Sequence, residues 1–203
     1  MAIYNGEKKN GKLGDVIYSS WHGRPYAKKR PDSVANPRTV AQQRHRSAFA
    51  EISRLSSAMK NAHIEGLHYM AVREKLDTYS VFKRLNKDCY GAEGIDYSSV
   101  QISSGTVPGA VITSVEVDAQ GVVRVAFDGS SMSKSAQDMF YIFVFCPDLR
   151  DGLFIKPVAR PVGFVSAQIL EEWKGYTLHL YAFMKDRKGR TSKTIYVGQY
   201  RVE

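Results

Sequence analysis

The sequence is short of the residues on which most recognisable chemistry depends. It holds two cysteines, Cys89 and Cys146, and five histidines. Neither cysteine has metal-ligand spacing, so both read as buried or idle thiols, with a disulfide between them as the alternative. His63 and His68 are five apart, which does not stack them on one face of a helix, and they read as exposed or capping residues. There is no glycine-rich phosphate loop followed by Lys-Ser/Thr, no Gly-x-Ser-x-Gly elbow and no His-Glu-x-x-His. Glu171 and Glu172 are adjacent, so their carboxylates point apart and read as a solvated loop, not an acid/base pair. No apolar run approaches the ~18 residues that span a bilayer. The polar stretch from Met1 to Lys12 lacks the apolar core of a signal peptide. The expectation is a cytoplasmic, non-enzymatic protein with no cofactor, no metal, no membrane contact and no evident small-molecule substrate.

What is present is an uneven positive charge. The 203 residues carry a net +9, and residues 8–46 alone hold ten Lys/Arg against two Asp/Glu. Such a stretch suits phosphates or an acidic partner, and also suits a solvated arm. Within it, Val16–Trp21 and Arg24–Lys29 are β-capable runs around His22-Gly23, which predicts a hairpin. Pro25 cannot donate to a ladder, so its strand belongs at an edge. Gly6, Gly11 and Gly14 predict a flexible approach. Tyr18, Trp21 and Tyr26 alternate with Arg24, Lys28, Lys29 and Arg30. Rings beside cations fit bases and phosphates, and equally fit a hairpin that buries one face or docks on a protein.

Thr39 and Gln42 have capping-box spacing and predict a helix start near Thr39. Ala48, Ile52, Leu55, Met59 and Ala62 then recur at helical period, with Phe49 beside them. Arg38, Arg44 and Arg46 lie mostly off that stripe. Gly66 is expected to interrupt the helix, and a second helical run, 67–86, is weakest at Tyr79-Ser80. Residues 95–103 read as an extended connector, and Gly105, Pro108 and Gly109 mark a boundary. Beyond it, period-2 runs at 111–118, 122–128, 139–146, 153–156, 163–169, 176–184 and 193–202 predict about seven strands. In the sixth, Tyr176, Leu178, Leu180 and Ala182 should face the core, and Thr177, His179, Tyr181 and Phe183 should face out. Trp173 reads as a plug at the end of the core.

Tyr176-x-Leu178-x-Leu180-x-Ala182, with Gly189 and Ser192, resembles the last hairpin of fibronectin type III domains. Gly14-Asp15-Val16-Ile17, Trp21-His22-Gly23-Arg24, Arg30-Pro31 and Asn36-Pro37-Arg38-Thr39-x-x-Gln42-Gln43-x-x-Arg46-x-x-Phe49 resemble the opening of a family of uncharacterised bacterial proteins. Ile95-Asp96-Tyr97-Ser98-x-Val100-x-Ile102-Ser103-x-Gly105-x-x-Pro108-Gly109 resembles its middle. The Asn-Pro-Arg-Thr stretch is also similar to the start of small phage-associated proteins. The resemblance implies no catalytic residue, and it adds a virion as a second location.

The expected fold is α+β in two parts. Residues 1–104 form a basic β-hairpin and helical region, and residues 105–203 form a fibronectin type III/immunoglobulin-like β-sandwich of about seven strands. The expected function is structural or protein-interacting, with a protein partner or self-association, in a phage or mobile-element setting. Nucleic-acid binding through the basic N-terminal hairpin and helix is the alternative. The contact residues for either are Tyr18, Trp21, Arg24, Tyr26, Lys28, Lys29, Arg30, Arg38, Arg44 and Arg46.

Overall fold

The computed structural model describes residues 3–5, 8–21, 24–33, 36, 38–118, 120–130 and 137–202, without the side chains of 3–5, 8, 9 and 21. The chain divides into two compact units, Met1–Gln42 and Gln43–Glu203.

In the first unit, β1 (Ile3–Asn5), β2 (Lys8–Leu13), β3 (Val16–Trp21) and β4 (Arg24–Lys29) form one antiparallel sheet in chain order. The hairpin expected from β3 and β4 is present, and Pro25 sits on an edge strand as expected. Its turn, His22-Gly23, lies outside the described residues. The approach differs from the expected flexible segment. Leu13 pairs with Val16 across a two-residue turn, so residues 8–13 become a strand. Gly14 makes that turn with φ +57°, a conformation glycine takes without steric cost. Its neighbours Lys12 and Leu13 show little alternation, and pairing with β3 supplies what their pattern lacks.

The second unit begins with α1 (Val40–Ala58), the first residues of which belong to the first unit. Gln42 N donates to Thr39 Oγ1 at 3.3 Å, so the start is capped as its sequence predicts. The helix breaks at Met59 (φ −95°, ψ 24°), not at Gly66, and α2 runs through Lys60–Glu74. Gly66 lies inside α2 because the connector passes against it. A Cβ there would stand 2.1 Å from Ile102 O. Lys75 (φ 56°) ends α2, and Asp77 accepts from Ser80 N at 2.8 Å to start α3 (Thr78–Leu85). The expected run over 67–86 is thus two helices, parted before Tyr79. Next come β5 (Tyr90–Gly91), β6 (Gly94–Ile95) and a 3-10 turn at Tyr97–Ser99, so the 95–103 connector is extended only in part.

Seven strands follow: β7 (Ile112–Val117), β8 (Val122–Phe127), β9 (Met139–Cys146), β10 (Asp151–Ala159), β11 (Phe164–Gln168), β12 (Thr177–Lys185) and β13 (Ile195–Arg201). They form a four-stranded sheet, β10-β9-β12-β13, and a three-stranded sheet, β11-β8-β7. Strand alternation sorts two cores. Val123, Val125, Phe127, Phe140, Ile142, Val144, Leu178, Leu180 and Ala182 fill the first, which Trp173 joins as expected. Phe143, Phe145, Tyr181 and Phe183 point the other way, into a second core with Ile52, Leu55, Met59, Leu67 and Phe82 of the helices.

Two expectations change as a result. His179, Tyr181 and Phe183 do not face water; they are buried, Thr177 is half-buried, and Tyr176, expected in the core, precedes the strand and is exposed. The period-2 pattern separates the two faces but does not say that helices cover the second one. The expected division at 104/105 falls inside the second unit, because residues 43–104 supply most of this second core.

Polar groups fasten the connector between helices and strands. Thr194 Oγ1 accepts from Ile102 N at 2.9 Å and Ser103 N at 2.8 Å, and donates to Ser103 O at 3.0 Å. Asn86, fully buried, accepts from Gln101 N at 2.7 Å and donates to Gln101 O at 2.9 Å. Thr191 Oγ1 lies 3.0 Å from Gly66 O and 3.2 Å from Ser104 O. Cys89 and Cys146 are free, buried thiols in different cores.

Candidate interaction surfaces

Residues directly opposite one another in an antiparallel ladder share a face. The register of β2, β3 and β4 therefore places Lys12, Ile17, Ser19, Arg24, Tyr26 and Lys28 on one face. Leu13, Val16, Tyr18, Pro25, Ala27 and Lys29 lie on the other. Cations stand on both faces, and the tyrosines are split between them. Tyr26 is 45% exposed beside Arg24 and Lys28, so a hairpin with a buried aromatic face and a solvated basic one is not what forms. Trp21 pairs with Arg24 in the ladder, and its side chain lies outside the described atoms. Arg30 donates its backbone N–H to Asp15 O at 2.6 Å, which extends the β4 edge. From Asn10 to Gln42 no described residue is buried.

Arg38 sits in the exposed chain before α1, while Arg44 and Arg46 are exposed on α1 in the second unit. The ten expected contact residues are thus shared between two units rather than set on one element.

A second surface belongs wholly to the second unit. Ala48, Phe49 and Ile52 of α1 line a groove of about 590 Å³. His45 and Arg46 from α1, with Lys83, Arg84 and Lys87 from and after α3, complete its lining. Phe49 is 61% exposed while Ile52, one turn on, is buried, so the apolar stripe of α1 is covered only from Ile52 onward. Lys83 Nζ lies 4.7 Å from the centroid of the Phe49 ring and 4.0 Å from that of Tyr79. Arg84 pairs with Glu74 at 2.5 Å. Of this set the sequence reading named Arg46 as a contact. Lys83 and Lys87 could have been found only by knowing that α3 packs beside α1.

A third, more polar hollow is lined by Asp96, Tyr97, Ser98, His179, Tyr196 and Gln199. His179 Nδ1 lies 2.9 Å from Tyr196 Oη, and the His179 and Tyr97 rings are 4.6 Å apart. Burial lowers the His179 pKa from its usual 6.5. Asp96, whose carboxylate caps the 3-10 turn by accepting from Ser98 N, is held low chiefly by the Ser98 hydroxyl. These contacts tie the turn to the sheet, and Tyr181 adds to them by donating to Tyr97 O at 2.8 Å. His63, expected to be exposed or capping, is buried between Ser56 O (3.1 Å) and Thr78 Oγ1 (3.0 Å), whereas His68 is exposed. Among the described residues no three His, Cys, Asp or Glu side chains are grouped as metal ligands. Among those residues no helix is long and apolar enough to cross a membrane.

Comparison with known proteins gives three findings. A family model described as "Family of unknown function (DUF6266)" matches residues 8–198. The chain is similar to the solution structure of the fn3 domain of human collagen alpha-1(XX) chain, at 13% identity and a TM-score of 0.36, over 50% of this chain and 85% of that one. No curated protein matches.

Proposed function

The chain belongs to the DUF6266 family of unknown function, and on that footing we propose that it is a non-enzymatic assembly or protein-interaction protein. Its basic N-terminal sheet docks on an acidic protein surface, and its second unit serves as the rigid body. One observation carries this reading. The four-stranded sheet buries none of its described side chains from Asn10 onward, although a small sheet is stable only when an apolar face is covered. Leu13, Val16, Tyr18 and Ala27 offer that face, and Lys29 beside them favours a cover that brings carboxylates. The order β10-β9-β12-β13 opposite β11-β8-β7 supports the fibronectin type III-like sandwich as a spacer. The phage or mobile-element setting, in a virion or the cytoplasm, is supported by the resemblance of the Asn36-to-Gln43 stretch.

The test joins light scattering to pull-down from native extract. Wild type should retain a defined acidic protein that the Arg24→Glu/Lys28→Glu/Lys29→Glu variant does not, with retention weakening as salt rises. A strict monomer whose retained proteins are the same for both chains overturns the proposal, and a homo-oligomer would replace the acidic partner with a sister subunit.

A second reading, nucleic-acid binding, is favoured by one feature: exposed Tyr26 shares a face with Arg24 and Lys28. It predicts a gel shift whose affinity falls steeply with salt. No shift at low salt removes it.

A further inference from the structure

We infer that the groove between α1 and α3 is a docking site for an acidic amphipathic helix of a partner protein, a site independent of the sheet on which the proposed function rests. The apolar stripe that seats α1 on the second core continues toward its N-terminus as Phe49, which stays 61% exposed. An apolar floor of this kind, flanked by two helices, accepts a third helix presenting anchors at i, i+4 and i+7.

Charge selects the occupant. Arg46, Lys83, Arg84 and Lys87 line the groove, and among the described residues no Asp or Glu lines it. Arg84 has Glu74 as an ion-pair partner, and carboxylates brought by the occupant would meet Lys83 and Lys87. A second copy of the chain would bring a further net +9. A nucleic acid would need the face of Phe49 for stacking, and the Lys83 ammonium already stands over that ring. Apolar side chains need only its exposed flank and edge.

The test is a titration of isotope-labelled full-length protein, followed by amide chemical shifts. The probes are a designed helical peptide with Leu anchors flanked by Glu, the same peptide flanked by Lys, and a single-stranded and a duplex oligonucleotide. The Glu peptide should give saturable shifts centred on Phe49 and Lys83. Its affinity should fall at least ~10-fold in Phe49→Ala and in Lys83→Glu/Lys87→Glu, where Phe49 and Lys87 are exposed and Lys83 is half-buried, and stay unchanged in the sheet variant Lys28→Glu/Lys29→Glu. Absence of saturable shifts at millimolar Glu peptide, equal binding of the Lys peptide, or oligonucleotide binding abolished by the groove variants each overturns the inference. Loss of binding in the sheet variant alone also does so, and would move the site to the sheet.

Discussion

His63 shows how a single polar residue can be invisible in sequence and yet built into the core. Ser56 O can only accept, so His63 Nε2 carries the proton and Nδ1 accepts from the Thr78 hydroxyl. That arrangement suits the neutral ring. Burial lowers the pKa of His63 despite the Ser56 carbonyl, and burial alone lowers that of His179. Above pH 6.5 both rings are neutral in the folded and unfolded chain, so neither affects stability there. Below 6.5 the unfolded chain takes up protons that the folded one refuses, and stability falls until the folded pKa is reached. The urea midpoint should therefore drop between pH 7 and pH 5.5, and His63→Gln/His179→Gln should flatten that drop. A midpoint that stays level in the parent chain would show that neither ring is held neutral.

At the scale of elements, the seam between helices and strands runs along the connector at residues 100–108. Part of the stretch 95–109 lies here: Ser103 is bound by Thr194, while Asp96, just before the connector, caps its own turn. Gly105 is pressed against Thr191, with a Cβ-to-carbonyl distance of 2.1 Å if a side chain were added. Gly66 meets the same limit from the helix side. Replacing Gly66 with Ala gains helix propensity of up to ~1 kcal/mol but forces the connector away. Overpacking of this kind costs about 1–3 kcal/mol, so the net effect should be destabilising. Gly91→Ala, with open space around it, should be close to neutral in the same denaturation experiment. Equal midpoints for the two variants would mean that α2 and the connector are not in close contact.

On the scale of the whole molecule, the two units differ in how much they bury. Strands β9 and β12 are covered on both faces, and most of their side chains are fully buried. Strands β3 and β4 bury none of their described side chains. Local opening should follow that contrast. Amides in β9 and β12 should exchange with deuterium at least ~100-fold more slowly than those in β3 and β4, a difference of about 2.7 kcal/mol in opening free energy. If a partner covers the sheet, adding it should slow the β3 and β4 amides selectively. Comparable protection of both sets in the free protein would show that the sheet is already covered.

Much of this was legible from residue order alone, because it depends on local chemistry and period. The Thr39 cap, the stripe from Ile52 to Ala62, the β3–β4 hairpin and the positions of seven C-terminal strands follow from neighbours within a few residues. The basic stretch that supplies the candidate contacts is a matter of composition. Tertiary structure alone decided what covers each face. It turned Tyr181 and Phe183 inward against helices, set Gly66 inside a helix rather than at its end, and placed Lys83 and Lys87 beside Phe49. These outcomes rest on contacts between residues far apart in the chain, and such contacts leave no period in the sequence.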